Sequence, residues 1–167
     1  NSVYTINVPN DINVFGKNGS GVFFDFVQSL DEDLSLKLNS SVYSINSTND
    51  SLGFNVDTSY NTRDLLIYLD YFVLVSKDKN SVINLDDISD KTIGIFAKDL
   101  SYVSSYYSLS NTIKSYDTSD ALFKGLEDNE VSYVIVPLTQ YKDTIVCKSY
   151  NVSYFFNDAK IYYYLHL

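Results

Sequence analysis

The sequence has few of the residues that carry covalent, redox or metal chemistry. Its 167 residues include one cysteine, Cys147, and one histidine, His166, and no methionine or tryptophan. A single cysteine excludes an intrachain disulfide and a zinc site built from four thiolates. A nucleophile–base pair would have to join Cys147 to His166, and no acid lies near either in sequence to orient the histidine. We therefore expect Cys147 to be a small packing residue, and we expect no catalytic residue, cofactor or metal site.

Positive charge and long apolar runs are also scarce. Lysine and arginine number 12 against 21 acidic residues, which gives a formal net charge of −9. Such a surface repels phosphate backbones and anionic lipids, so nucleic-acid binding and basic membrane docking are excluded as functions. No run approaches the about 18 apolar residues that span a bilayer, so we expect no membrane insertion. The polar N-terminus lacks an initiator methionine, and we interpret the sequence as a fragment from which any export or anchoring signal has been removed.

Aromatic residues are abundant, with 16 tyrosines and 10 phenylalanines. In the first half of the chain, alternating residue types predict strands at Val3–Val8 and within residues 34–38. Apolar residues at helical spacing predict a short helix from Val22 to Leu30. Residues 46–62 are polar and predict a loop. Leu65–Val75 is the most hydrophobic run, and its aromatic and β-branched content favours a buried strand.

The second half of the chain alternates regularly between strand and helix patterns. The predicted order is strand Thr92–Phe96, helix Leu100–Leu109, strand Asn111–Tyr116, helix Thr118–Asp128 and strand Val131–Val136, followed by helix Leu138–Cys147 and strands Asn151–Phe156 and Lys160–Leu167. Asp117 or Thr118 can cap the second helix, and Asn129 can adopt the left-handed turn that ends it. A β-α-β-α-β order within one short stretch is typical of a doubly wound α/β unit.

Several ordered segments together resemble the family 3 extracellular solute-binding proteins, the class that serves polar amino-acid transporters. The segments that carry the resemblance are Gly21–Phe26, Thr62-Arg63, Leu85–Ile88 with Thr92–Ile95, Ser119–Leu122 and Asn129–Val136. The resemblance implies an α/β, two-lobed fold of the periplasmic-binding-protein type 2, compact and truncated, in which each lobe is a small, mainly parallel sheet with flanking helices. It implies lobe one at residues 1–75 plus 141–167, lobe two at 76–140, and a ligand held in the cleft between them.

The same resemblance suggests ligand-binding residues in lobe one. Arg63, preceded by Thr62, aligns with the arginine that grips a ligand carboxylate in relatives, and a guanidinium suits bidentate carboxylate recognition. Phe15 and Tyr60 could line the ligand face of this lobe, Phe15 because it lies in a Gly/Asn-rich loop. The alternative for Arg63 is a surface ion pair with an aspartate at position 57 or 64.

In lobe two, the candidates are Lys98, Asp99 and Ser101, which begin a predicted helix. The N-terminus of a helix attracts anions, so these residues could hold an anionic ligand group; the alternative is plain capping of the helix by Asp99. The aspartate that holds the ligand ammonium in relatives aligns with Pro137, which has no carboxylate and no backbone donor. This departure argues against standard α-amino-acid binding and leaves an amino-acid-like or carboxylate ligand.

These expectations lead to a non-enzymatic, extracytoplasmic domain that binds a small molecule. The interpretation we favour is the ligand-sensing ectodomain of a membrane signalling protein, anchored through segments absent from this sequence. The first alternative is the substrate-binding component of an ABC uptake transporter, whose partner would be a permease. The second is a degenerate scaffold that binds a protein partner.

Overall fold

The computed structural model describes residues 3–9, 11–12, 16–17, 21–34, 37–43 and 53–166. The strands are β1 (Val3–Pro9), β2 (Asp11–Ile12), β3 (Gly16–Lys17), β4 (Lys37–Tyr43), β5 (Gly53–Asp57), β6 (Leu65–Ser76), β7 (Thr92–Phe96), β8 (Thr112–Tyr116), β9 (Tyr133–Pro137) and β10 (Asn151–His166). The α-helices are α1 (Val22–Leu34), α2 (Ala97–Tyr106), α3 (Ser119–Glu127) and α4 (Lys142–Cys147), and a 3-10 turn covers Leu85–Ile88.

The chain divides into two compact units. Unit 1 comprises residues 1–70 and 161–167, and unit 2 comprises residues 71–160. Both β6 and β10 run from one unit into the other, so the chain crosses between the units within strands. The lobe bounds expected from the sequence stay a prediction.

Unit 1 is built on strands β4, β1, β5 and the last part of β10, in that order. β1 pairs in parallel with both β4 and β5, and β10 pairs antiparallel with β5. Helix α1 brings Phe23 onto this sheet, where its ring stacks on Phe54 with centroids 4.6 Å apart and lies 6.1 Å from the ring of Tyr163. All three side chains are fully buried, so they form the core of this unit.

Unit 2 contains the predicted β-α-β-α-β unit, which the structure confirms. Strand β7 lies between β9 and β8 and is parallel to both, while β6 pairs antiparallel with β9. The strands are almost continuously apolar because helices and loops cover both faces of a parallel sheet. Accordingly, Val134, Ile135 and Val136 of β9 are all fully buried.

The two ends of α3 match the sequence prediction. The Thr118 hydroxyl accepts a hydrogen bond from the backbone N–H of Ala121 at 3.2 Å, as expected of an N-cap. Asn129 has φ of 60°, the left-handed conformation that follows many helices. Lys77 donates to Asn129 Oδ1 at 2.7 Å and to the carbonyl of Glu127 at 3.2 Å, which ties this helix end to the end of β6.

The two strands predicted near the C-terminus are one continuous strand, so this prediction was wrong. Strand β10 covers Asn151–His166 without interruption. The polar residues that suggested a break are held in extended backbone by a nearby side chain, because the backbone N–H of Asp158 donates to the Tyr107 hydroxyl at 3.0 Å. Ala159, the next residue, is fully buried.

Other element bounds also differ from the sequence prediction. Residues 53–57, expected within a loop, form strand β5, which pairs with β10. Helix α1 continues to Leu34, where the next strand was expected to begin. Helix α4 begins only at Lys142, because residues 138–141 form a turn after β9.

Gly125, within α3, is expected to tolerate no larger side chain. A Cβ atom there would lie 2.7 Å from Cζ of Tyr116 and closer still to its hydroxyl, and that hydroxyl is held by Glu130 at 3.1 Å. Alanine normally stabilises a helix relative to glycine by about 1 kcal/mol. Here the overlap should outweigh that gain, and we expect Gly125→Ala to lower the free energy of unfolding by about 1–2 kcal/mol.

Urea unfolding checks this expectation, with Tyr116→Leu as the background for a double-mutant comparison. Removing the ring should abolish the penalty of Gly125→Ala. A Gly125→Ala chain at least as stable as the original would contradict the close packing described here.

Candidate functional site

The connection between β5 and β6 in unit 1 carries Tyr60, Thr62 and Arg63. Asn61 organises this turn, because its Oδ1 accepts the backbone N–H of Arg63 at 3.0 Å and its carbonyl accepts the N–H of Asp64 at 2.9 Å. The side chains of Thr62 and Arg63 are exposed. The turn therefore presents the Arg63 guanidinium to solvent.

Arg63 does not make the surface ion pair that was the alternative interpretation. The Asp57 carboxylate accepts the backbone N–H of Thr58 at 2.7 Å. The side chain of Asp64 is 7% exposed, and its Oδ1 lies 2.7 Å from Nδ1 of His166. Among the residues that the structure describes, neither aspartate pairs with Arg63.

Tyr60 lies on a tyrosine surface that the sequence did not predict. Its ring centroid is 4.9 Å from that of Tyr162 and 6.0 Å from that of Tyr164. Tyr162 and Tyr164 share one face of β10 because side chains of a strand alternate between faces. The sequence signal for this surface was the spacing of Tyr162 and Tyr164 in the C-terminal aromatic run. Only the pairing of β10 with β5 brings these two side chains near Tyr60.

Lys98, Asp99 and Ser101 lie at the start of α2 in unit 2, as predicted. Phe96 occupies the N-cap position and no side chain caps the helix, so the expectation that Asp99 is the cap was wrong. Lys98 and Ser101 are exposed, and Nζ of Lys98 lies 5.6 Å from the centroid of the Phe96 ring.

The carboxylate of Asp99 is buried without a hydrogen-bond partner at one oxygen. Its Oδ2 is inaccessible to solvent and, among the described residues, makes no hydrogen bond. Burial raises the pKa of Asp99 from 3.8 to about 6, partly offset by the nearby charge of Lys98. Burial and the Asp99 charge together raise the pKa of Tyr141 to about 12.

Asp99 and Tyr141 both follow strands that end at the carboxyl edge of the unit 2 sheet. Strands β7 and β9 are parallel neighbours, with Ile95 paired to Ile135, so both end at this edge. Asp99 follows β7, and Tyr141 follows β9 with its ring centroid 5.5 Å from that of Phe96. Ligands of α/β proteins bind at this edge of a parallel sheet. Sequence reasoning missed Tyr141, although it lies four positions after the strand end at Pro137.

The predicted site residues thus form two groups, one in each unit. Phe15 lies outside the described residues.

Cys147 is exposed, so the expected packing role was wrong. Within the described ranges, no cluster of three or more His, Cys, Asp or Glu side chains could hold a metal ion. In the same ranges, no helix has both the length and the apolar character needed to cross a membrane.

Solved structures resemble the whole chain, although no protein-family model matches it. No curated protein matches it in sequence either. The periplasmic VFT2 domain of BvgS from Bordetella pertussis matches with a TM-score of 0.67 and 12% identity over 98% of this chain and 79% of that one. The arginine-, lysine-, histidine-binding protein ArtJ from Geobacillus stearothermophilus matches with a TM-score of 0.62 and 16% identity, over 98% and 80%. The substrate binding protein of an amino acid ABC transporter gives 0.62 and 16%, over 98% and 83%.

The fold is therefore α/β and matches these solved structures, while the expected two-lobed arrangement stays a prediction. The resemblance to family 3 solute-binding proteins, expected from the ordered segments, is confirmed by these structures. The neighbours are binding proteins or a periplasmic domain of a longer protein.

Proposed function

We propose that this chain is a non-catalytic domain that binds a small amino-acid-like or carboxylate solute outside the cytoplasm, with its two units acting as the two lobes of the family architecture. The observation that carries the proposal is the similarity of 98% of the chain to solved structures of ArtJ and of an ABC transporter substrate binding protein. The Arg63 guanidinium adds support, because it is exposed on a loop of unit 1 and is not engaged in an ion pair among the described residues.

The role we favour is the ligand-sensing ectodomain of a membrane signalling protein, anchored through segments outside this sequence. The likeness to the periplasmic VFT2 domain of BvgS supports this role. The family resemblance adds support, because it places Pro137 where relatives that bind amino acids have the aspartate for the ligand ammonium. The structural likeness to an ABC transporter substrate binding protein supports the alternative of solute uptake through a permease. The gene decides between them: a signalling domain in the same reading frame supports sensing, and an adjacent permease and ATPase support uptake.

A thermal-shift screen of the purified chain tests solute binding. The panel contains amino acids, small mono- and dicarboxylates and short peptides. Binding to the native state raises the midpoint of unfolding by mass action, so at least one compound should give a saturable rise. A folded chain that responds to none of them would overturn the proposal and favour a scaffold that binds a protein partner.

Arg63→Ala is expected to weaken binding of a carboxylate ligand by about 10- to 100-fold, because a charged, bidentate hydrogen-bond pair is lost. Calorimetric titration measures the change, and Arg63→Lys should lose part of the affinity because it keeps the charge without the fork geometry. Lys148→Ala removes an exposed cation from unit 2 and should bind normally. Unchanged affinity in Arg63→Ala would remove Arg63 from the site.

A further inference from the structure

His166, the only histidine of the chain, lies at the end of β10 and contacts Asp64, the residue that follows Arg63. Nδ1 of His166 lies 2.7 Å from Oδ1 of Asp64, although the two residues are 102 positions apart in sequence. The Asp64 side chain is 7% exposed, so its carboxylate has little access to water and depends on partners within the fold. A carboxylate only accepts hydrogen bonds, so Nδ1 of His166 carries the hydrogen and donates it.

The turn that carries Arg63 contacts β10 on both sides of the arginine. Before the arginine, the ring centroid of Tyr60 lies 6.0 Å from that of Tyr164. After the arginine, Asp64 contacts His166. Tyr164 and His166 share one face of β10, because side chains of a strand alternate between faces. Both ends of the turn therefore rest on the same surface of unit 1.

The contact between Asp64 and His166 fixes the place of the turn, whereas the bonds of Asn61 fix its shape. Asn61 accepts the backbone N–H of Arg63 at 3.0 Å and that of Asp64 at 2.9 Å, and these bonds join residues only two or three positions apart. The hydrogen bond to His166 joins the turn to a strand that is distant in sequence. A preorganised arginine binds a ligand more tightly than a mobile one, because ordering a loop on binding costs affinity.

We propose that His166 is a positioning residue for Arg63, which acts through Asp64 to hold the turn that presents the guanidinium to the ligand. This inference rests on the proposed function and adds to it a residue that need not touch the ligand. It gives a role to the sole histidine, which forms no nucleophile–base pair with Cys147 in our interpretation of the sequence.

The order of the Arg63 backbone tests the inference without a ligand. Arg63 is the only arginine, so arginine-selective ¹⁵N labelling of the whole chain gives a single backbone signal. We expect an order parameter of about 0.85 in the original chain and below about 0.6 in His166→Phe, which keeps a ring but has no donor. His166→Asn keeps a donor and should restore most of the order. A general loss of stability would leave the order of the turn in the folded chain unchanged.

Binding of carboxylates is the second measurement, with pyruvate and succinate as probes in calorimetric titrations at pH 7. His166→Phe should bind them about tenfold more weakly, because the buried Asp64 carboxylate loses a hydrogen-bond partner and the turn loosens. His166→Asn should recover part of the affinity. The control is Asp25→Asn, which removes an exposed acid of α1 and should change neither the order of Arg63 nor the affinity.

The outcomes separate this inference from the proposed function. Equal order of Arg63 in His166→Phe and the original chain overturns the inference, as does equal affinity for the probes, and both results leave solute binding standing. A turn that loosens in His166→Phe in a chain that binds no compound of the broad panel overturns the proposed function alone. If His166→Phe does not fold, His166→Ala replaces it in the same comparison with His166→Asn.

Discussion

Replacing Phe54 by alanine is expected to lower the free energy of unfolding of unit 1 by about 3–5 kcal/mol. The Phe54 side chain is fully buried on β5. Its ring stacks on Phe23 at 4.6 Å and meets the edge of Phe26 at 5.7 Å. Truncation removes the buried area, leaves a cavity and breaks both ring contacts, each worth about 0.5–1.5 kcal/mol beyond burial.

Urea unfolding followed by tyrosine fluorescence measures this loss. The control is Phe155→Ala, since Phe155 lies on β10 with 47% of its surface exposed. We expect the control to lose less than about 1 kcal/mol. If the two variants lose similar amounts, the aromatic cluster around α1 is not the core of unit 1.

Asp99→Asn is expected to stabilise the ligand-free chain at pH 8 and to leave it nearly unchanged at pH 4. The pKa of Asp99 rises from 3.8 in the unfolded chain to about 6 in the folded one. The folded state therefore binds the Asp99 proton more tightly than the unfolded state does. The stability that this bound proton contributes is fully present below pH 4 and is lost as the pH rises through 6. A shift of this size corresponds to about 3 kcal/mol as an upper value. Asparagine carries no charge, so it avoids that loss.

The measurement is the difference in free energy of unfolding between Asp99→Asn and the original chain from pH 4 to pH 8. We expect this difference to grow by about 1–3 kcal/mol in favour of the variant across that range. Asp120→Asn should show no such trend, because its carboxylate is exposed. A difference that is independent of pH would mean that Asp99 is not buried as described.

The parts of the fold that local chemistry determines were predictable from the sequence. Continuous apolar runs identified the buried strands β7 and β9. The alternation of strand and helix patterns along this part of the chain identified the doubly wound unit. The Thr118 cap and the left-handed Asn129 were also predictable, because each depends on the side chain at its own position.

The parts that depend on distant pairing were not predictable. The alternation Phe54-Asn55-Val56-Asp57 in β5 is a strand pattern too short to stand out from its polar surroundings, and the segment forms a strand because it pairs with β10. Likewise, the sequence identified Arg63 in the turn before β6 as a candidate. Only the folded chain shows that the Asp64 carboxylate interacts with His166 and not with Arg63. Asp99 was expected from the sequence to be a capping residue. The burial of its Oδ2 and its electrostatic effect on Tyr141 are tertiary properties that local sequence does not show.

Isothermal titration of the purified chain with the compound that gives the largest thermal shift tests solute binding most directly. We expect a saturable heat with one site per chain, strongly reduced in Arg63→Ala when the compound carries a carboxylate. A correctly folded chain that gives no saturable heat with any amino acid, carboxylate or short peptide would contradict this expectation.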